Sequence, residues 1–107
     1  EILRSKIFIE DSFFAIYEGC SAATPHHHLN KWDNEFNLHS VKYAAVYYVE
    51  VGDVGADQPG NLSLHQPDVV IQPNNGDLII FPASRMHSAH YNGLKKRIIL
   101  GINFYTI

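Results

Sequence analysis

The sequence predicts a single, mainly β domain of the sandwich or barrel class. Apolar residues alternate with polar ones at a period of two along most of the chain, and no convincing amphipathic helix is present. Turn-forming Gly, Pro and Asn residues divide the chain into eight or nine short segments, the spacing typical of all-β folds. The 107 residues match the usual length of one domain, so residues 1–107 are predicted to share one core.

The predicted strands follow one another with short turns between them. Residues 2–9 and 12–18 suit an opening pair of strands, and residues 41–51, which contain AAVYYVEV, form the strongest predicted strand. Residues 22–34 contain Pro25 and three consecutive histidines and are predicted to be a loop. Further strands are predicted at residues 61–65, 69–72, 77–81, 87–91 and 96–107.

The composition argues against several classes of partner and against a disulfide. Eight Lys and Arg against eleven Asp and Glu give a formal net charge of -3, which provides no broad attraction to nucleic acid or to anionic lipid. The single cysteine, Cys20, excludes an internal disulfide, fits a reducing compartment and is expected to be a small buried apolar residue. The expected location is therefore the cytoplasm. Because the chain begins at Glu1 and its one methionine is Met86, it is expected to be a fragment or a processed product.

Two histidines and one arginine stand out as candidate functional residues. His39 precedes the strongest strand, and His87 follows the segment PNNGDLIIFPASRM, with Arg97 ten residues further on. Neutral imidazole is a good ligand for Fe(II), and the planar guanidinium of Arg matches a carboxylate. A strand that starts at His87, turns at Asn92-Gly93 and returns through Arg97 would bring those two residues onto adjacent strands. A second hairpin is predicted at Asn75-Gly76. The pattern thus predicts a metal site with an anion-binding arginine.

From residue 33 to residue 103 the sequence resembles the Fe(II)- and 2-oxoglutarate-dependent oxygenases, specifically the small prolyl-hydroxylase-like group of phages and marine bacteria. The segments that carry the resemblance are YAAVYYV, GNLSLHQP, PNNGDLIIFPASRMH and RIILGIN. The resemblance implies a double-stranded β-helix, a cupin-like jelly roll. It also implies Fe(II) as cofactor, 2-oxoglutarate as co-substrate and hydroxylation of a C–H bond in a peptide or small molecule. Relatives normally carry helices outside the barrel, which this chain is expected to lack.

The same resemblance implies a set of site residues. His87 matches the distal metal ligand, and Arg97 matches the residue that binds the far carboxylate of 2-oxoglutarate. His39 falls on the second position of the proximal His-x-His/Asp pair, which leaves Asn37, a weak ligand, or a water molecule in the first. A shifted alignment puts His39 first and Val41 second, as in the carboxylate-free site of related halogenases.

Strand alternation extends these assignments to neighbouring residues. Tyr47 shares a face with His39 and is a candidate to hydrogen-bond the co-substrate. Two sets are expected to line the site: Tyr43, Ala45 and Tyr47 on one strand, and Ile99, Gly101 and Asn103 beside Arg97 on the other. The remaining histidines are predicted to lie outside the metal site, mostly on the surface: His26, His27, His28, His65 and His90.

Two alternatives to an active oxygenase remain open. One is a cupin-like binding protein, because GDLIIFPASRMH also approximates the second cupin motif. The other is a non-catalytic relative that keeps the barrel and binds a partner. Segments 22–34 and 52–60 are expected to select the substrate, and exposed edge strands make a homodimer an expected assembly.

Overall fold

In the computed structural model, which describes residues 6–18 and 21–106, two four-stranded antiparallel sheets face each other. Sheet A has the strand order β1-β8-β3-β6 and sheet B the order β2-β7-β4-β5. The strands are β1 (Ile7–Tyr17), β2 (Ser21–His26), β3 (Lys42–Glu50), β4 (Leu62–Leu64), β5 (Val69–Ile71), β6 (Leu78–Pro82), β7 (His87–Tyr91) and β8 (Arg97–Thr106). One short helix, α1 (Lys31–Glu35), lies between β2 and β3. The mainly-β prediction is confirmed.

The chain passes from one sheet to the other at most of its connections. Among the strands of residues 6–18 and 21–106, β4 and β5 are the one consecutive pair that forms a hairpin within a sheet. The sequence predicted hairpins at Asn75-Gly76 and Asn92-Gly93. Instead, each of these turns connects a strand of sheet B to a strand of sheet A. Gly76 has the positive φ expected of such a turn, +87°. Gly93 does not have a positive φ. A Cβ at this position would overlap the hydroxyl of Tyr91, so the close contact between the Gly93 backbone and Tyr91 explains this glycine.

The first third of the chain differs from its prediction. The two predicted opening strands are one strand, β1, whose pairing with β8 shifts register between Ile9 and Asp11. The predicted loop at residues 22–34 contains both β2 and α1. β2 lies at an edge of sheet B, where Pro25 is tolerated. The start of the first predicted strand and Cys20 lie outside the described residues.

Helix α1 begins at a capping box and is fixed to sheet A by buried charges. The side chain of Asn30 accepts a hydrogen bond from the Asp33 backbone N–H, and the Asp33 carboxylate accepts one from the Asn30 N–H. The Lys42 ammonium lies 2.8 Å from Asp33 Oδ2 and 2.9 Å from Glu10 Oε1. The Tyr105 hydroxyl contacts the same two carboxylates. Within residues 6–18 and 21–106, no helix is long and apolar enough to cross a membrane.

The hydrophobic core occupies only part of the space between the sheets. It is built from β3 and β6 on one side and β4 and β5 on the other: Ala44, Leu62, Leu64 and Phe81 are buried, with Val46, Ile71 and Ile79 packed against them. The neighbouring region, between β1, β8 and β3 of sheet A and β2 and β7 of sheet B, encloses a cavity. This division of the interior positions the candidate site.

Candidate metal centre

Three histidines converge at one end of this cavity. His26 ends β2, His28 follows two residues later, and His87 begins β7. β2 and β7 are neighbours in sheet B, and His26 lies directly opposite His87 in their pairing. The backbone N–H of His28 donates to the carbonyl of Ala83, 2.8 Å away, which fixes the chain just after β2. Ligand atoms of the three imidazoles all lie within 4.8 Å of one another, a grouping that no other His, Cys, Asp or Glu residues form in the described chain.

The spacing of the histidines explains which two of the consecutive three take part. In an extended segment, residues i and i+2 point to the same side and the residue between them points away. His26 and His28 are accordingly half-buried, whereas His27 is exposed. The sequence prediction placed all three on the surface because the segment read as a loop. The His-x-His spacing within an extended segment is the signal that could have identified the pair.

Backbone hydrogen bonds fix which ring nitrogen of each histidine faces its neighbours. Nδ1 of His87 lies 3.1 Å from the carbonyl of Arg85, and Nδ1 of His26 lies 2.6 Å from the carbonyl of Thr24. A carbonyl only accepts, so each Nδ1 carries the hydrogen and each Nε2 presents a lone pair. Carbonyl partners of this kind commonly orient metal-binding histidines.

Two of the ring nitrogens are joined by a hydrogen bond. Nε2 of His28 lies 3.0 Å from Nε2 of His87. Because Nε2 of His87 presents a lone pair, the Nε2–H of His28 is the donor. In the other tautomer of His28, with its hydrogen on Nδ1, both Nε2 atoms present lone pairs, and the three imidazoles together offer donors of the kind that bind divalent transition metals.

The electrostatics of the cluster keep His28 and His87 neutral. Burial, with smaller contributions from the neighbouring His87 and His26, lowers the pKa of His28 to about 4. Burial also lowers the pKa of His87. A metal ligand must offer an unprotonated nitrogen. Both imidazoles meet this condition at neutral pH without giving up a proton to solvent.

Arg97 is a buried cation at the other end of the cavity. It is 3% exposed, and its Cζ lies 5.4 Å and 5.5 Å from the ring centres of Tyr48 and Tyr91. Three of its five N–H bonds donate to the carbonyls of Val51, Pro59 and Gly60, at 2.9, 3.2 and 2.6 Å respectively. Burial lowers the pKa of Arg97, but a guanidinium stays charged at neutral pH.

No carboxylate in the described ranges is close enough to form an ion pair with Arg97. The Nε–H and the second Nη2–H make no hydrogen bond to these residues either. Two N–H bonds of the guanidinium thus remain for an anion, and arginine commonly binds a carboxylate through two such bonds. Arg97 can therefore accept an anion within the cavity.

The cavity that joins the two ends has a volume of about 140 Å³. Arg97, Ile99, Gly101 and Asn103 all line it, as strand alternation predicted for β8. β7 belongs to sheet B and β8 to sheet A. His87 and Arg97 therefore do not lie on adjacent strands of a hairpin, but come from opposite sheets.

The structure places the other predicted site residues elsewhere. Asn37, with a φ of 54°, and His39 are exposed in the turn that links α1 to β3, and neither lines the cavity. Tyr47 is 39% exposed, and its neighbours Val46 and Tyr48 line the cavity instead. Of the predicted set Tyr43, Ala45 and Tyr47, only Ala45 lines the cavity. The alternation was counted from His39, but β3 begins only at Lys42, so the count crossed a turn.

Comparison with known proteins gives matches at the level of structure. No protein-family model and no curated protein matches the sequence. A 2OG-Fe(II) oxygenase family oxidoreductase from Burkholderia pseudomallei superposes with a TM-score of 0.71 at 16% identity, and a prolyl-4-hydroxylase from Pseudomonas putida with 0.66 at 20%. A cupin domain from Bordetella pertussis Tohama I gives 0.55 at 14%. The chain is a double-stranded β-helix.

The extent of the matches differs between the two kinds of neighbour. The two oxygenase alignments cover 95% and 92% of this chain but only 45% and 54% of the other, so the chain spans about half the length of those proteins. The cupin alignment covers 95% of this chain and 94% of the cupin domain. At these sequence identities the matches describe the fold, and the chemistry has to be argued from the site.

Proposed function

We propose that this chain binds Fe(II) through His26, His28 and His87, binds 2-oxoglutarate with Arg97, and hydroxylates a C–H bond of a peptide or small molecule. The observation that carries the proposal is the pairing of two features in one cavity. A three-histidine cluster lies at one end, and a buried guanidinium without an acidic partner among the described residues lies at the other. On this assignment His26 and His28 form the proximal His-x-His/Asp pair of the oxygenase pattern and His87 is the distal ligand. All three metal ligands are then imidazoles.

Charge balance favours a ligand with two carboxylates. Three neutral imidazoles bring no charge, so a divalent ion together with Arg97 would leave three positive charges around the cavity. Unpaired charge away from water is strongly unfavourable. A dicarboxylate offsets most of it, with one carboxylate near the metal and the other on the remaining N–H bonds of Arg97. A 2-oxo acid adds a second oxygen donor beside the first carboxylate.

The protein residues around the cavity supply orientation and exclusion of water. The ring of Phe81 lies against His87, with ring centres 4.7 Å apart, and Phe13, Ala44 and Ile102 add apolar wall. Such a wall strengthens the attraction of Arg97 for a carboxylate because little water competes. Iron, when bound, supplies the binding and reduction of O2, and the protein places the co-substrate beside it.

Anaerobic titration with Fe(II) and then 2-oxoglutarate tests this proposal. The native protein should develop the weak visible charge-transfer band of an iron–2-oxo acid chelate and, in air, should form succinate. His28→Ala should abolish the band, whereas the control His39→Ala should retain it. Loss of the band in His39→Ala with retention in His28→Ala would restore the ligand set predicted from sequence. No band in the native protein, with an unchanged melting temperature, would refute the proposal.

A second candidate function is that of a cupin-like metal-binding protein. The all-histidine ligand set and the nearly complete mutual coverage with the Bordetella cupin domain favour it. Metal alone would then raise the melting temperature, since a ligand at 100 times its Kd stabilises a protein by about 2.7 kcal/mol. Addition of 2-oxoglutarate would cause no further rise. A further rise with 2-oxoglutarate would favour the oxygenase.

A further inference from the structure

We infer that Asn103 determines ligand specificity by accepting a hydrogen bond from an N–H or O–H group of the molecule bound at the metal end. Asn103 is 6% exposed and lines the cavity. Its amide nitrogen Nδ2 donates to Oδ1 of Asp11, 2.8 Å away, while its carbonyl oxygen Oδ1 is buried without a hydrogen-bond partner. The inference rests on the proposed function only in taking the three histidines as a metal site.

The orientation of the Asn103 amide is fixed by Asp11. An ionised carboxylate can only accept hydrogen bonds, so the NH2 group of Asn103 must face it and Oδ1 must face away. Asp11 reaches Asn103 because β1 shifts register between Ile9 and Asp11. Such a bulge re-aims a side chain, and here it turns Glu10 and Asp11 toward the same face of the sheet. Asp11 is thus a positioning residue for Asn103.

The strand register places Asn103 at the metal end of the cavity. Asn103 on β8 pairs with Ala44 on β3, and Ala44 pairs in turn with Phe81 on β6. The Phe81 ring packs against both His87 and His28. Asn103 therefore lies level with the histidine cluster, on the wall that sheet A contributes, while Arg97 lies six residues earlier on the same strand.

A buried acceptor without a partner is unfavourable, and natural proteins leave few of them. A leucine at this position would have nearly the same shape and no such cost. The retained amide is explained if a ligand supplies the missing donor. 2-Oxoglutarate has no such donor at neutral pH, so the ligand in question is another molecule at the metal end of the cavity. Its class is one with a hydroxyl or a secondary amide N–H close to the metal, rather than a tertiary amide or an ester.

Two hydroxamates that differ in a single donor test this inference. Acetohydroxamate and N-methylacetohydroxamate both chelate a divalent metal through two oxygens, but only the first has an N–H. Their dissociation constants are measured by visible titration of the Co(II)-loaded protein, for the native chain and for Asn103→Leu. The preference for acetohydroxamate is the Kd of N-methylacetohydroxamate divided by the Kd of acetohydroxamate. This preference should be about fivefold larger in the native protein than in the variant, because one neutral hydrogen bond contributes a factor of about that size. Intrinsic differences in chelation cancel in this comparison.

The variants also separate recognition from a purely structural role. Binding of N-methylacetohydroxamate should be the same in Asn103→Leu as in the native protein, and the metal-free variant should melt at the native temperature or above it. Asp11→Asn, which no longer fixes the amide, should lose part of the preference. Equal ratios in native protein and Asn103→Leu, or a variant that melts several degrees lower, would overturn the inference. Failure of the native protein to bind Co(II) would instead refute the proposed function, and the melting comparison would still decide the role of Asn103.

Discussion

Replacement of Lys42 by methionine should lower the free energy of unfolding by about 3 to 5 kcal/mol, the usual cost of breaking a buried ion pair. The Lys42 and Asp33 side chains are 1% and 0% exposed and lie 2.8 Å apart. Methionine keeps most of the length of the side chain but leaves the Asp33 carboxylate buried without its cation. In the described part of the chain, only the Tyr105 hydroxyl and the Asn30 backbone N–H would then remain as its donors.

Urea denaturation followed by circular dichroism measures this loss, and thermal melting should show a fall of at least about 12 °C in a chain of this size. Glu10→Gln is the matched control. Glu10 contacts the same ammonium, but its side chain is 31% exposed, so the expected loss is about 1 kcal/mol or less. Lys42→Met combined with Asp33→Leu should be more stable than the sum of the two single variants predicts. Strict additivity, or a loss below 1 kcal/mol for Lys42→Met, would refute this account of how α1 is fixed.

Three further predictions concern pH, the proposed anion-binding role of Arg97 and a glycine. Burial raises the pKa of Asp33 and of Glu10, but hydrogen bonds from Lys42 and Tyr105 outweigh it, and both pKa values are lowered. The stability that these carboxylates contribute is therefore complete above their ordinary pKa of about 4. It is lost as the pH falls toward and through their lower pKa values in the folded protein. A urea midpoint that stays constant from pH 7 to pH 3 would contradict this. Arg97→Gln should weaken 2-oxoglutarate binding about tenfold to a hundredfold, the range for a hydrogen bond to a charged group, and should spare metal binding; if calorimetry finds both affinities unchanged, Arg97 is not the anion-binding residue. Gly60→Ala should also weaken 2-oxoglutarate binding, because a Cβ there would lie 2.6 Å from the Cζ of Arg97. Gly76→Ala is its control, since Gly76 has a similar positive φ but open space at the Cβ position; it should cost about 1 kcal/mol of stability and leave binding unaltered.

The central and C-terminal strands could be predicted from sequence because their patterns are local. β3, β7 and β8 follow apolar alternation and end at turn residues, and the structure places them within one residue of the predicted bounds, the C-terminal end of β8 aside. β2 could not be predicted in the same way. Its segment, SAATPH, contains a proline and little apolar alternation, and it is a strand only because β7 provides a partner for it. Helix α1, with five residues, is too short to show a period of 3.6.

The two halves of the candidate site also differ in whether local sequence patterns are enough to predict them. His87 and Arg97 lie in one continuous stretch of motifs, so the sequence alone could identify them as candidates, although not their placement on opposite sheets. The proximal histidines depend on a non-local fact, the pairing of His26 with His87 across β2 and β7. The sequence offers a rival in His39, close to the strongest strand, but a turn separates His39 from the start of that strand. Proximity in sequence to a strand therefore could not reveal which histidine faces the interior.

The β-bulge at Glu10 connects the stability of the fold to the composition of the site. One extra residue in β1 lets two consecutive carboxylates face the same side, where an unbroken strand would place them on opposite faces. Glu10 then contacts Lys42 and helps to fix α1, which follows directly on the segment that bears His28. Asp11 orients Asn103 on the opposite wall. Deletion of Glu10 would return the strand to simple alternation, with Asp11 still opposite Asn103 but without the contact to Lys42. The bulge, which lies outside the histidine cluster, is thus what allows a single edge strand to support both the segment carrying the proximal histidines and the wall that faces them.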